Sequence, residues 1–238
     1  MSKILVLGDI HGRSIWEKIV AKHHDVDKVI FIGDYVDTHD DITPLEQLQN
    51  LRKIIKYKAL NQNKVVLLVG NHDYHYWPGA PEQYSGYQPA MRHNFEHEFQ
   101  LHNDLFQMAF QDENDIIYTH AGVTKTWLES VGIASDWVSS INELFKFQPY
   151  KFKFSSLDTS GYGEHKSQSP IWVRAQSLYN DKILNLQIVG HTMVYNINHP
   201  PKSERRGFYI IDALGTSKEY LIIDNGKITI EKWGNKTY

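Results

Sequence analysis

Residues 28–37 read Lys-Val-Ile-Phe-Ile-Gly-Asp-Tyr-Val-Asp, an apolar run that stops at a glycine and a carboxylate. The run Val29–Ile32 has no polar alternation, so both of its faces need apolar cover, as in a parallel strand buried between layers. The same grammar recurs along the chain: Ile4–Leu7 before Gly8-Asp9, Val65–Val69 before Gly70-Asn71, Ile116–Tyr118 before Thr119-His120, and Leu186–Val189 before Gly190-His191. Helical spacing fills the early gaps. Ile15–His24 has apolar residues at 15, 16, 19 and 20. Thr43-Pro44-Leu45-Glu46 reads as N-cap, first-turn proline and reciprocal capping acid, followed by apolar positions 45, 48, 51, 54 and 55. The spacing predicts a further helix over Phe95–Phe110, and Thr126 with Glu129 predicts a second capping box, with Thr124 as the alternative start.

Two stretches break this pattern. Tyr74–Met91 mixes tyrosines and Trp77 with Pro78, Gly79, Pro81, Gly86 and Pro89, as a loop or lid would. Leu144–Ser169 has no clear period and reads as a second excursion near the site. The C-terminal part turns to strands at Phe208–Ile211, Tyr220–Ile223 and Ile228–Ile230, the last two joined by the hairpin turn Asn225-Gly226. Strand–helix alternation followed by antiparallel strands predicts a layered α/β sandwich.

A length of 238 residues suits one large domain, and 41% hydrophobic residues suffice for a sizeable core. A formal charge of −3 argues against an electrostatic nucleic-acid binder and leaves small phosphorylated substrates open. The chain has no cysteine, so a metal must be held by oxygen and imidazole nitrogen. No apolar run has the length of a membrane span, and the N-terminus reads as a first strand, so a soluble, cytoplasmic protein is expected.

The residues at the strand ends carry the chemistry. In open α/β sheets the ligand site lies beyond the carboxyl ends of the strands, so Asp9, His11, Asp34, Asn71, His72, His120 and His191 should converge. Six of these, two aspartates, one asparagine and three histidines, suit a divalent metal of intermediate hardness and exceed what one ion takes. Two ions sharing Asp34 as a bridge would use the set fully. Singly, Asp9, Asp34 or Asn71 would read as a turn or cap residue; their succession at strand ends favours ligation.

The blocks GDIHG (8–12), GDYVD (33–37), GNHD (70–73), THAG (119–122) and GHT (190–192) resemble, in order, those of the calcineurin-like metallophosphoesterases, and specifically the phosphoprotein (serine/threonine) phosphatase branch. The resemblance runs from Gly8 to about Gly215. It implies one α/β domain over 1–238, an α/β/β/α sandwich with mixed β-sheets, in which 74–94 is a candidate lid or insert. It further implies that Asp9 and His11 hold a first metal, that Asp34 bridges, and that Asn71, His120 and His191 hold the second, with Asn71 also facing the substrate phosphate. A metal-bridging hydroxide would attack phosphorus, His72 would protonate the leaving oxygen, and Asp37 would orient His72. Within Pro170–Arg174, Arg174 would grip the phosphate, its fork matching two phosphate oxygens. Manganese is the expected metal, with iron or zinc as alternatives.

The chain departs from that family pattern at the phosphate clamp. Thr38-His39 stands where the family has Arg-Gly, Val69 where protein phosphatases often have arginine, Asp73 where they have Glu, and HAG replaces HGG. Arg13, Arg92 and His39 are candidates to compensate. The leading expectation is a phosphomonoesterase acting on phosphorylated protein. Hydrolysis of a nucleotide, a dinucleoside polyphosphate or a nucleic-acid phosphate is the alternative, and an inactive phosphate-binding module comes third.

Overall fold

The computed structural model describes residues 2–80, 82–198 and 207–234. Its strands are β1 (Lys3–Leu7), β2 (Lys28–Phe31), β3 (Val65–Leu68), β4 (Phe106–Gln107), β5 (Ala109–Gln111), β6 (Ile117–Thr119), β7 (Gln187–Val189), β8 (Phe208–Ile210), β9 (Glu219–Asp224) and β10 (Lys227–Lys232). The helices are α1 (Ile15–Lys22), α2 (Pro44–Leu60), α3 (Asn71–Tyr74), α4 (Arg92–Leu101), α5 (Lys125–Ser130), α6 (Trp137–Phe147) and α7 (Ala175–Asn180).

Two mixed sheets result. One runs β10-β9-β1-β2-β3-β4 and the other β5-β6-β7-β8. Strands β1, β2 and β3 are parallel neighbours, with Leu5 opposite Val29 and Ile30 opposite Val66. The strand period of two then sorts their side chains. Ile4, Val6, Ile30, Ile32, Val66 and Leu68 point inward to Tyr118, Ile188 and Ile211 of the second sheet. Leu5, Leu7, Phe31 and Leu67 point outward to Trp16, Ile19, Leu48, Leu51 and Ile54 of α1 and α2. Helix α7 covers the far side of the second sheet, where Leu178 packs with Val189 and Ile210. The layers are therefore helix, sheet, sheet, helix, as the motif resemblance implies.

Local signals held where chemistry fixed them. Both halves of the Thr43–Glu46 capping box form, and the Asn225-Gly226 turn joins antiparallel β9 and β10. The N-cap of α5 is Thr124, whose Oγ1 accepts from the Trp127 amide at 3.2 Å. Thr126 is not the cap; its amide donates to Asp181 instead.

The helix expected over 95–110 stops at Leu101. Asn103 and Asp104, poor helix formers, interrupt it, and Phe106 then pairs with Leu67 while Phe110 pairs with Tyr118. Inter-strand pairing has overridden the helical spacing of the phenylalanines. The unperiodic stretch from 144 likewise begins inside α6, whose buried face is only Ile141 and Phe145, one turn apart. Within the described residues, no helix is long and apolar enough to cross a membrane.

Candidate metal centre

The strand-end loops interlock by backbone bonds before any side chain is considered. The amides of Ile10 and His11 donate to the Asp34 carbonyl, that of Gly12 to Tyr35, and that of Gly190 to His120. These loops need tight backbone. His11 (φ 43°), Asp34 (φ 50°), Asp37 (φ 58°) and His191 (φ 62°) all lie in the left-handed region that non-glycine residues seldom adopt. Such strain persists only where surrounding structure over-determines it, and it gathers at functional sites. Gly190 shows how close the approach is: a methyl there would overlap Asp9 Oδ1.

All six candidate ligands meet. Carboxylate and imidazole atoms of Asp9, Asp34 and His120 lie within 4.8 Å of one another. His120 Nε2 is 3.4 Å and His11 Nε2 3.7 Å from Asp34 Oδ2. His120 Nε2 and His191 Nδ1 both face Asn71 Oδ1, at 2.9 and 2.8 Å. Asp9 Oδ2 accepts the His191 amide at 3.0 Å and Asp34 Oδ1 the His72 amide at 2.9 Å.

The donor set fits divalent cations on this structure's own evidence. Each histidine turns one nitrogen to a main-chain carbonyl: His11 Nδ1 to Val36, His120 Nδ1 to Ile32 and His191 Nε2 to Trp172. A carbonyl only accepts, so that nitrogen carries the proton and the other presents a lone pair inward, the arrangement of a metal-binding histidine. Once metal displaces the His120 proton, two such lone pairs face the Asn71 oxygen, itself an acceptor, and a cation between them would balance the three. Asp9 Oδ1 is buried with no hydrogen-bond partner among the described residues.

The charge balance says the same. Burial, with Asp212 and Asp34 adding to it, pushes the Asp9 carboxyl well above the usual range. Burial and Asp34 lift Asp212 to about 6. Against burial, His120, His72 and His11 hold Asp34 well below the usual range, while Asp34 and Asp9 overcome burial to raise His120 to about 9. Crowded buried carboxylates leaning on imidazoles for charge are what a dication relieves.

Of the remaining candidates, His72, Arg174, Arg13 and His39 border the same cleft. A cavity of 320 Å³ is lined by His11, Asp34, Asn71, His72, Arg174 and His191, together with Arg13, His39, Asp40, Met193, Asp212 and Thr216. Arg174 Nη1 donates to the His191 carbonyl at 2.8 Å and its Nε to Tyr162 at 3.0 Å. Of the residues considered for compensation, Arg13 and His39 are at the cleft, and Arg13 is paired with Asp40 at 2.6 Å. Arg92 is not; it pairs with Glu96 along α4 and borders a different pocket.

His72 Nδ1 lies 3.4 Å from Asp37 Oδ2. Burial opposes protonation of His72, but Asp34 and Asp37 outweigh it and raise its basicity.

Three contributors are given no role by the sequence reading above. Asp73 is wholly buried, and its carboxylate accepts the amides of Asp34 and Tyr35 at 2.8 Å and of Gly70 at 2.9 Å. It thereby latches the second motif to the third. His75 is a buried partner of Asp37 at 2.5 Å, with no spacing signal to mark it. Asp212 follows the run Phe208–Ile211 and so repeats the strand-end carboxylate pattern, a signal that was legible.

Residues 2–195 match the model of the calcineurin-like phosphoesterase family. The chain belongs to that family. Its members are metal-dependent phosphoesterases with dinuclear centres, and the chain is accordingly a phosphoric ester hydrolase. No curated protein matches it by sequence. Among solved structures it resembles a cold-active protein-tyrosine phosphatase of a Shewanella species, at TM-score 0.59 and 16% identity, covering 98% of this chain and 80% of that one. It also resembles a protein serine/threonine phosphatase of Saccharomyces cerevisiae, at TM-score 0.59 and 15% identity over 100% and 81%. A candidate diadenosine tetraphosphatase aligns at TM-score 0.50 and 11% identity over 98% and 95%. At these identities the likeness is one of fold.

Proposed function

We propose that this phosphoesterase is a phosphomonoesterase of the protein-phosphatase type. The carrying observation is one cleft lined by His11, Asp34, Asn71, His191, His72 and Arg174, with Asp9 and His120 grouped against Asp34 and Asp37 against His72. Asp9, His11 and Asp34 would hold one ion and Asp34, Asn71, His120 and His191 the other, with manganese first among metals and iron or zinc as alternatives. When bound, the pair supplies an activated water and neutralises charge developing on phosphorus.

The chain's own residues do the rest. Arg174, anchored by Tyr162 and His191 carbonyls, holds its guanidinium toward the cleft and grips phosphate oxygens. Asn71 faces the same phosphate. His72 carries a proton held there by Asp34 and Asp37 and delivers it to the leaving oxygen. Arg13 and His39 border the cleft where the family's arginine is missing, and Arg13 exchanges Asp40 for substrate oxygens.

The second reading is hydrolysis of a dinucleoside polyphosphate, motivated by two arginines from separate loops on one cleft. It is disfavoured because Tyr74 and Tyr76, whose faces a nucleobase could have stacked on, are turned into the core with no exposure. The open rim, with Tyr162 and Met193 exposed, suits a phosphorylated polypeptide better.

Initial rates with Mn²⁺ on phosphopeptides, mononucleotides and a dinucleoside tetraphosphate decide between them. The proposal expects phosphopeptides to lead; a nucleotide preferred by tenfold or more (about 1.4 kcal/mol) would reverse the ranking.

A further inference from the structure

The aromatic excursion after α3 converges on one carboxylate. Asp37 is 2% exposed, and its Oδ2 lies 2.5 Å from His75 Nε2 but 3.4 Å from His72 Nδ1. Its other oxygen accepts from the Tyr76 hydroxyl at 2.9 Å and from Gln88 Nε2 at 2.7 Å. The Asp37 amide donates to Gln47 Oε1 at 2.9 Å, and Gln88 Nε2 reaches that same oxygen at 3.1 Å. Asp37 thus has its place fixed by three side-chain donors of the excursion before His72 makes its longer contact.

The excursion also holds His72. Gly86, at φ 90°, lies so close that a methyl there would come within 2.8 Å of the His72 ring. The His75 ring is itself fixed, edge-on to Tyr76 and Tyr87 and stacked on Tyr84. Its Nδ1 accepts the Tyr84 amide, so Nε2 bears the proton that Asp37 receives.

We infer that His75, with Tyr76 and Gln88, is a positioning residue that fixes the Asp37 carboxylate so that it aims the His72 imidazole at the leaving oxygen. The inference rests on the proposed role of His72 as general acid. Without His75, Asp37 is freed from its shortest contact and the imidazole loses its fixed orientation. The substrate and metal ligands are untouched, because His75 contacts neither. The excursion therefore acts as a buttress behind the acid.

The test is His75→Ala and His75→Gln, with kcat and KM measured on phenyl phosphate and on 2,4-dinitrophenyl phosphate, whose leaving group needs no proton. Loss of a partner behind a catalytic histidine costs about 10–100-fold. That loss is expected in kcat on phenyl phosphate for His75→Ala, against less than about threefold on the activated ester, where protonation contributes little. KM and bound-metal content should be unchanged, and the Gln variant, whose amide can still donate to Asp37, should recover most of the loss. Equal losses on both esters, no loss, or no recovery by Gln would overturn the inference. If His75→Ala does not fold, Tyr76→Phe and Gln88→Met, each removing one Asp37 donor, are judged by the same difference. His72→Asn is measured alongside. If it shows the leaving-group difference and the His75, Tyr76 and Gln88 variants do not, only the buttress fails; if His72→Asn lacks it, the acid reading fails and the buttress with it.

Discussion

Replacing Asp73 by alanine removes one side chain and orphans three main-chain donors. The amides of Asp34, Tyr35 and Gly70 each donate to that carboxylate at 2.8 to 2.9 Å, in a spot with no solvent exposure. A buried donor left without a partner costs about 1–3 kcal/mol, so three give roughly 3–9 kcal/mol. Two effects pull toward the low end. The vacated carboxylate volume admits water, which can satisfy part of the loss. The native side chain also carries a cost, since burial and the Asp34 charge lift its pKa to about 8. The expected loss is therefore roughly 3–5 kcal/mol, a large share of the 5–15 kcal/mol typical of a folded domain. Asp73→Asn keeps one acceptor oxygen. Placed where Gly70 and Asp34 donate, it loses only the Tyr35 bond, at about 1–3 kcal/mol. Urea denaturation at one fixed pH, followed by fluorescence, measures both. A loss below about 1 kcal/mol for Asp73→Ala, or an Asn variant as damaged as the Ala variant, would refute the latch.

His72→Asn should lower kcat by roughly 10²–10⁴ on esters with poor leaving groups and much less on activated aryl phosphates; stopped-flow or steady-state rates on the two esters check it. Arg13→Ala should raise KM for the true substrate, by about 10-fold if one charge-assisted bond to phosphate is lost, with kcat nearly unchanged. Away from the site, Glu231 accepts from Lys22 at 2.7 Å and from Tyr220 at 3.0 Å, and these bonds outweigh burial to hold its carboxyl below the usual range. A depressed folded pKa adds stability above the unfolded value of about 4.3 and loses it as pH falls through the folded value. Glu231→Gln should flatten the decline of melting temperature below about pH 4.3, and an unchanged acid limb would contradict the linkage.

The parallel core and the meeting of the candidate ligands were legible because both are written locally. Val29–Ile32 before Gly33-Asp34 announces a buried strand and a polar strand end in six residues, and each further repeat adds one or two candidate ligands to a common edge. The Thr43–Glu46 box was equally local. What failed to show depended on partners distant in sequence. Phe106 and Phe110 keep a helix-like spacing, and only their pairing with β3 and β6 makes them strand residues. Asp73 reads as a conservative exchange at the end of a motif, while its task is set by amides 38 and 39 residues upstream. His75 carries no signal at all, since its partner Asp37 belongs to another motif. Asp212 is the exception, a strand-end carboxylate that the pattern could have flagged.

We propose that Asp34 organises a dinuclear metal centre on which hydrolysis depends. Wild type and Asp34→Asn are stripped with chelator, reloaded with Mn²⁺, and assayed for bound metal and for phosphate release from an aryl phosphate. Loss of the shared carboxylate should lower bound Mn²⁺ per chain and reduce kcat/KM by at least about 10²-fold, with the fold retained by circular dichroism. Phosphate release by Asp34→Asn equal to wild type, or release that survives complete metal removal, would contradict it.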